Sequence, residues 1–142
     1  MIPKELQEIV DDIKKHEGFS PKVYQCTEGY DTIGYGFAIK DLVIDEGVSD
    51  LILMKKLHTL LQRIIIAFPW FKDIDEIAKK VVINMCYQLG LRGFSKFKQT
   101  IYYLETEQYE EASLEMLDSL WAKQTPNRAK ELSEMISSLA TD

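Results

Sequence analysis

Apolar residues near the amino terminus of the chain recur at helical spacing, at Leu6, Ile9, Val10 and Ile13. This spacing gathers apolar side chains on one face of a helix, because successive turns bring these positions into line. Pro3 suits the first turn of such a helix, where its missing N–H has no intrahelical partner. The pattern therefore predicts an amphipathic helix over residues 3–15.

The pattern changes between residues 22 and 36, where aromatic and β-branched residues are interrupted by glycines. Aromatic and β-branched residues favour strands, and glycine favours the turns that join them. The stretch predicts a short β-hairpin with the residues "TEGY" (27–30) at its turn. It is the only convincing strand pattern in the chain.

Helical spacing returns after residue 48. Apolar positions predict a helix over residues 49–68, and Pro69 ends it because proline disfavours helical backbone in the residue before it. Capping residues and helix breakers predict four further helices. The first opens at a capping box of Asp73 and Glu76, runs through Tyr87 and stops near Gly90 and Gly93. The others run from Ser95 to Leu104, from Thr106 to Trp121, and from the N-cap Thr125 with Pro126 onward. The helix that ends at Trp121 is expected to present an apolar face of Leu114, Met116, Leu117, Leu120 and Trp121.

These elements predict an α+β architecture, since one hairpin is combined with several helices. A chain of 142 residues fits one domain that can bury a real core. We expect a single domain over residues 1–142 with two lobes. The hairpin lobe takes residues 13–48, a connecting helix takes residues 49–69, and the helical lobe combines residues 1–12 with residues 70–142.

The composition is that of an ordinary globular protein, with 46% hydrophobic and 28% charged residues. A formal net charge of −6 argues against nucleic acid as a partner, because phosphate binding needs concentrated lysine and arginine. Two cysteines, Cys26 and Cys86, do not make a disulfide framework, so we expect two free thiols.

Neither a secretory signal nor a membrane span is expected. The amino-terminal stretch "MIPKELQEIVDDIKK" carries charges throughout and lacks the apolar run of a signal peptide. The most apolar stretch, residues 51–70, is interrupted by charged and polar residues and is too polar to cross a bilayer. The sequence thus predicts a soluble protein without stable membrane insertion.

Glu17, Cys26 and Thr32 are the candidates for chemistry, because a hairpin can bring its two arms towards a carboxylic acid at the end of the preceding helix. A proton donor facing groups that hold a water is the arrangement that inverting glycoside hydrolysis requires. Spacing alone does not decide for an enzyme. A glutamate at a helix end is usually a solvated charge, a hairpin cysteine is usually a small buried hydrophobe, and a threonine there usually reflects strand propensity.

The stretch "HEGFSPKVYQCTEGYDTIGYGF" resembles the signature of the phage lysozyme family, glycoside hydrolase family 24. In that signature a glutamate is followed after eight residues by aspartate or cysteine, and after five more by threonine. Two later stretches, "INMCYQLG" (83–90) and "WAKQTPNRA" (121–129), resemble the helical lobe of T-even phage lysozymes. The resemblance covers the first forty residues and most of residues 80–130, and it implies a lysozyme-like fold and muramidase activity.

The resemblance also implies roles for individual residues. Glu17 corresponds to the general acid that protonates the leaving sugar oxygen, and Thr32 to the residue that holds the attacking water. Cys26 stands where most members have an aspartate that helps to place that water. Arg128 resembles the arginine that pairs with the catalytic glutamate, although a helix-start salt bridge without a chemical role is the alternative.

Cysteine at position 26 is expected to be a poor general base. A free thiol has a pKa of about 8.5, so that only roughly 3% of it is thiolate at neutral pH. A nearby ionised Glu17 is expected to raise this pKa further, because like charges oppose each other's formation. Cys26 is therefore expected to orient water by weak hydrogen bonding rather than to take its proton.

The saccharide contacts implied by the resemblance are Ala38, Tyr87, Gln88, Thr100 and Glu115. Tyr87 can equally be a core aromatic, and Thr100 can equally lie on a helix surface. Glu115 falls where the family leads us to expect a neutral amide. No metal and no cofactor are expected.

The expected partner is bacterial peptidoglycan, cleaved at the β-1,4 bond between N-acetylmuramic acid and N-acetylglucosamine. The resemblance to endolysins implies a monomer in the cytoplasm of the host bacterium, which reaches the wall after a holin permeabilises the membrane. Two alternatives stay open: a lytic transglycosylase, which cleaves the same bond without water, and a non-catalytic wall-binding module with the same fold.

Overall fold

The computed structural model describes residues 3–140 and confirms the predicted α+β class, with many helices and one small sheet. The chain divides into two compact units, the first within residues 1–49 and the second within residues 50–142. Along residues 3–140 no helix is both long and apolar enough to cross a membrane. The predicted assignment of residues 1–12 to the helical lobe stays a prediction.

The first unit begins with helix α1, Lys4–Glu17, which confirms the helix predicted over residues 3–15. Gly18 ends the helix with φ +70°, a conformation that glycine adopts without steric penalty. Its N–H donates to the carbonyl of Lys14 at 2.9 Å. Glu17 is consequently the last helical residue, directly before the chain turns into the sheet.

The sheet has three antiparallel strands in the order β1-β2-β3: Ser20–Gln25, Asp31–Gly34 and Phe37–Ala38. β1 and β2 form the predicted hairpin, with residues 26–30 between them. β3 was not predicted, because two residues are too few to show an alternating pattern. The register pairs Thr32 with Tyr24 of β1 and with Ala38 of β3.

Helix α2, Glu46–Ala67, starts three residues earlier than predicted and stops just before Pro69, as predicted. Asp45 provides its start, since its carboxylate accepts a hydrogen bond from the N–H of Val48 at 2.8 Å. A short 3₁₀ helix, Pro69–Asp73, follows. Asp73 belongs to this element, so the predicted capping box of Asp73 and Glu76 is wrong.

Helix α3, Glu76–Ser95, is capped instead by Asp75, whose carboxylate accepts from the N–H of Ile77 at 2.8 Å. The predicted stop near Gly90 is confirmed, since φ +78° and ψ 157° interrupt the helical backbone there. Helical backbone resumes after this kink and continues through Gly93 to Ser95. Only glycine takes such a φ without strain, which is why a breaker residue here produces a kink.

Four shorter helices complete the second unit: α4 Lys98–Glu105, α5 Tyr109–Leu117, α6 Leu120–Gln124 and α7 Pro126–Ser137. Ser95 and Thr106 do not open helices, contrary to prediction. Their hydroxyls donate back to the carbonyls of Leu91 and Tyr102, and therefore close the ends of the preceding helices. Thr125 does precede α7, with proline in the first turn, but its hydroxyl donates to the carbonyl of Trp121 at 3.0 Å.

The buried core lies in the second unit and is built from α3 to α7 with the end of α2; its largest fully buried side chains are Phe94, Ile64, Met85, Leu104, Met116 and Ile136. Trp121 and Met116 belong to this core, as predicted. Leu114, Leu117 and Leu120 do not, since each is about half exposed or more. The reason is that Trp121 lies in α6, after a break at residues 118 and 119, and so does not continue the face of α5.

Candidate active site

Glu17 lines a shallow pocket in the first unit. The pocket has a volume of about 300 Å³ and is lined by Glu17, Gly18, Phe19, Ser20 and Tyr24. Tyr24 belongs to β1, where it pairs with Thr32 across the sheet. The end of α1 and the first strand of the hairpin therefore contribute to one local surface, which includes Glu17.

Cys26 occupies the first position of the turn between β1 and β2. Its N–H donates to the carbonyl of Tyr30 at 2.9 Å, and its carbonyl accepts from the N–H of Gly29 at 2.8 Å. Gly29 has φ +84°, so a residue with a side chain would be strained at this corner. These hydrogen bonds close a tight turn that contains the predicted "TEGY" residues, and Cys26 lies at the start of this turn.

The pKa of the Cys26 thiol is lowered, contrary to the expected rise. Hydrogen bonds from the backbone of Tyr30 and of Glu28 are the main causes, and a hydrogen bond with the side chain of Thr32 adds to them. Partial burial and the carboxylate of Glu28 act in the opposite direction but are outweighed. The predicted rise did not take into account the turn between β1 and β2, whose backbone N–H groups favour the thiolate form of Cys26. Cys26 is consequently ionised at lower pH than an ordinary cysteine.

Thr32 lies in the middle strand and is only 4% exposed. Its hydroxyl donates to the carbonyl of Tyr30 at 2.9 Å, while the side chain of the neighbouring Asp31 is exposed. The two side chains point to opposite faces of the strand, as predicted. Because the Thr32 hydroxyl and the Cys26 N–H both donate to the carbonyl of Tyr30, the structure brings these two candidates together.

The candidate saccharide contacts fall in both units. Ala38 is partly buried in β3 as the strand partner of Thr32. Thr100 and Glu115 line one pocket of about 500 Å³ in the second unit, together with Trp121 and Leu89. Thr100 is 2% exposed and is therefore not a surface residue of its helix. The structure thus groups two predicted contacts in one cavity.

Tyr87 and Gln88 lie next to each other in α3. Tyr87 is 49% exposed and is not part of the core. Gln88 accepts a hydrogen bond from the indole N–H of Trp121 at 2.8 Å, which fixes the ring that lines the larger pocket. In this position Gln88 orients a pocket residue, and its own availability to a ligand is reduced.

Arg128 is held in place by Asn84. Its Nε and Nη2 atoms donate to the Asn84 side-chain oxygen at 2.9 and 2.6 Å, and Nη2 also reaches the Asn84 carbonyl at 3.3 Å. The partner of Arg128 is therefore the neutral amide of Asn84. A salt bridge at the start of the helix, the alternative role of Arg128, would need an acidic residue instead. Asn84 was overlooked in the sequence, although it lies one helical turn before Gln88 within the matched "INMCYQLG" stretch. The pairing of Arg128 with Glu17 stays a prediction.

A family model described as phage lysozyme matches residues 14–135, a span that includes each candidate from Glu17 to Arg128. Probable T4-type lysozyme 1 of Dictyostelium discoideum is 28% identical over 158 aligned residues, which cover 90% of this chain and 92% of that protein. The pre-baseplate central spike protein Gp5 of Enterobacteria phage T4 is 26% identical over 156 aligned residues. That alignment covers 87% of this chain but only 26% of the spike protein.

Along residues 3–140 the structure combines many helices with one small antiparallel sheet, in agreement with a lysozyme-like α+β fold. The family match over most of the chain agrees with this class. The chain belongs to the phage lysozyme family, and the predicted enzyme class, a glycoside hydrolase of the lysozyme type, is confirmed.

Proposed function

We propose that the protein hydrolyses the β-1,4 bond between N-acetylmuramic acid and N-acetylglucosamine in peptidoglycan, with Glu17 as general acid. Family membership supports a muramidase-like activity. The observation that carries the residue assignment is the local grouping in the first unit. Glu17 and Tyr24 line one pocket, Tyr24 pairs with Thr32, and Thr32 and Cys26 both donate hydrogen bonds to the carbonyl of Tyr30.

In this mechanism the carboxylic acid of Glu17 donates its proton to the glycosidic oxygen, and the bond from that oxygen to the anomeric carbon breaks. Water adds to the anomeric carbon from the opposite face, as in inverting hydrolysis. Cys26 and Thr32 hold this water. The lowered pKa of Cys26 gives it more thiolate character than an ordinary cysteine has, so that it can also accept the proton that the water loses.

The remaining candidates are assigned to the sugar chain. We propose that Ala38, Tyr87 and Thr100 contact saccharide units. Glu115 lines the same pocket as Thr100, and its side-chain oxygens accept hydrogen bonds from sugar hydroxyl groups where an amide would also donate. Gln88 acts through Trp121, and Arg128 supports the acid. A bacteriolytic role in host cell lysis, dependence on a holin and a monomeric state stay predictions.

Clearing of outer-membrane-stripped bacterial cells tests the assignment of Glu17. The amide of Glu17→Gln keeps the shape of the side chain but has no proton to donate, and general acid catalysis typically contributes about 10²–10⁴-fold. Glu8→Gln is the matched control, because it makes the same change at an exposed position of α1. The smallest effect expected is about 10²-fold, so Glu17→Gln clearing walls at more than roughly a tenth of the wild-type rate would refute the assignment.

Mass spectrometry of the released fragments tests the reaction itself. Hydrolysis leaves a reducing N-acetylmuramic acid at the new end, with the mass of one water added. A lytic transglycosylase leaves an anhydro ring without that water. Anhydro ends as the main product would replace the proposed hydrolysis by the transglycosylase reaction, with Glu17 still as its acid.

A further inference from the structure

The side chain of Glu17 packs directly against the backbone of Gly36, the residue before β3. If Gly36 carried a Cβ atom, that atom would overlap Oε2 of Glu17 and would lie 3.1 Å from Cδ and 3.6 Å from Cγ. These three nearest atoms all belong to Glu17. The space that a side chain at position 36 would need is therefore occupied by the carboxyl group.

Gly36 differs in this respect from three other glycines with left-handed backbone, Gly18, Gly29 and Gly90. Its φ is +75°, and Gly18, Gly29 and Gly90 have similar values of +70°, +84° and +78°. At those three positions an added Cβ would meet nothing within 4 Å. Backbone conformation alone explains glycine there, whereas at Gly36 glycine also leaves room for a candidate catalytic group.

We propose that Gly36 is a positioning residue for Glu17, and that its bare backbone fixes where the carboxyl group can lie. The proposal rests on the proposed function of Glu17 as general acid. Glu17 is the last residue of α1, so the carboxyl lacks a following helical turn to confine it. A general acid must stay within hydrogen-bond reach of its target oxygen. A displacement of about 1 Å can cost on the order of 10²-fold in rate.

Gly36→Ala tests the proposal, with Gly34→Ala as matched control. Gly34 lies two residues away with φ +67°, and its added Cβ would meet the ring of Phe37 at 2.8 Å. Both variants therefore introduce the same residue, similar backbone strain and a similar collision. They differ in the side chain that is displaced.

We expect the two variants to lose similar amounts of thermal stability. Gly36→Ala should lower kcat on soluble peptidoglycan fragments at least tenfold with little change in KM, and should shift the ¹³Cδ NMR resonance of Glu17. Gly34→Ala should keep most of kcat and leave that resonance in place. Equal losses of kcat in both variants, or an unmoved Glu17 resonance in Gly36→Ala, would overturn the proposal.

Thermal melting of single and double variants tests the proposal even if Gly36→Ala folds poorly. Glu17→Ala removes the carboxyl group that the new Cβ meets, so Glu17→Ala with Gly36→Ala should melt at a higher temperature than additive effects predict. A double variant as unstable as additivity predicts would show that crowding of Glu17 is not the cause. The resonance and melting data do not depend on catalysis. An active Glu17→Gln variant would therefore refute the proposed function while leaving the contact itself to be judged separately.

Discussion

The indole N–H of Trp121 donates a hydrogen bond of 2.8 Å to the side-chain oxygen of Gln88, which connects α6 to α3 within the second unit. Trp121 is only 4% exposed, and its ring meets that of Phe97 edge to face at 6.0 Å. Gln88 thus satisfies the one polar atom of a buried aromatic ring. The same ring forms part of the wall of the pocket that Thr100 and Glu115 line.

Trp121→Ala should destabilise the protein by about 3–5 kcal/mol, because it leaves a cavity in the core. Gln88→Leu should cost about 1–3 kcal/mol by leaving the indole N–H unpaired. Leu120→Ala is the control, since Leu120 is adjacent but 69% exposed. Urea unfolding followed by circular dichroism measures all three variants. If Trp121→Ala unfolds at the same urea concentration as Leu120→Ala, Trp121 has no structural role in the core.

Hydrophobic periodicity located the long elements well. Both α1 and α2 follow from it, and Pro69 marks the end of α2, because a missing N–H acts independently of tertiary structure. Capping residues were less reliable guides. Asp73 and Asp75 are both suitable caps in sequence, and the choice between them depends on how the 3₁₀ helix packs, which no local pattern records.

The helical breaks in the second half illustrate the same limit. Ser95 and Thr106 are residues that favour helix starts, yet their hydroxyls also bond well to carbonyls one turn earlier. Tertiary packing selects between these two uses. The Trp121 face was mispredicted for a related reason, since a break of two residues rotates the apolar pattern between α5 and α6.

In the candidate site, too, the sequence predicted some features and could not predict others. The identities of Glu17, Cys26 and Thr32 followed from a motif, and their grouping in one unit agrees with it. Contacts made by backbone groups could not be foreseen. Backbone amides lower the pKa of Cys26, and the backbone of Gly36 contacts Glu17. The sequence shows no more of either contact than a glycine in a turn.

Asn84 is predicted to matter through Arg128. Asn84→Ala removes the oxygen that receives two of the guanidinium N–H groups, so Arg128 loses its fixed orientation. We expect a several-fold loss of kcat and little loss of stability, because Asn84 is exposed. Arg128→Lys should behave similarly, since an ammonium group cannot reproduce the fork of donors. Wall clearing at the wild-type rate by both variants would exclude a role for this pair in activity.

Cys86 is predicted to make stability depend on alkaline pH. Burial raises the pKa of its thiol to about 12 in the folded protein, whereas an exposed cysteine has a pKa of about 8.5. Between these values the folded state binds more protons than the unfolded state, so stability falls as pH rises. Cys86→Ala loses a constant amount of stability through the cavity that it leaves, but its stability lacks this dependence on pH. The stability difference between wild type and Cys86→Ala should therefore shrink above about pH 9, and a constant difference would contradict the prediction.

The two thiols are predicted to differ sharply in reactivity. Cys26 is partly buried with a lowered pKa, and Cys86 is buried with a raised one. Since the thiolate is the reactive form, a bulky thiol reagent at neutral pH should modify Cys26 first and inhibit the enzyme by filling the site. Cys86→Ala should not protect against this inhibition. Protection by Cys86→Ala would locate the sensitive thiol in the core.

Substitution at Cys26 gives the most direct test of how the water is activated. Cys26→Asp places a carboxylate where the amides of the turn at Glu28 and Tyr30 favour a charged acceptor, so activity should be kept or increased. Cys26→Ser should keep a substantial part of the activity, because a hydroxyl still orients water beside Thr32. The rising limb of the pH–rate profile should move to lower pH in Cys26→Asp, since a carboxyl has a pKa of about 3.9 and a free thiol one of about 8.5.

The same two variants separate water activation from a covalent mechanism. A thiolate nucleophile would form a glycosyl intermediate, which a carboxylate at position 26 can also form but an unactivated serine hydroxyl cannot. Cys26→Ser would then be inactive while folding normally, as judged by circular dichroism. Activity in Cys26→Asp with an unshifted rising limb would instead assign that limb to another group, and Cys26 would be left with orientation of the water alone.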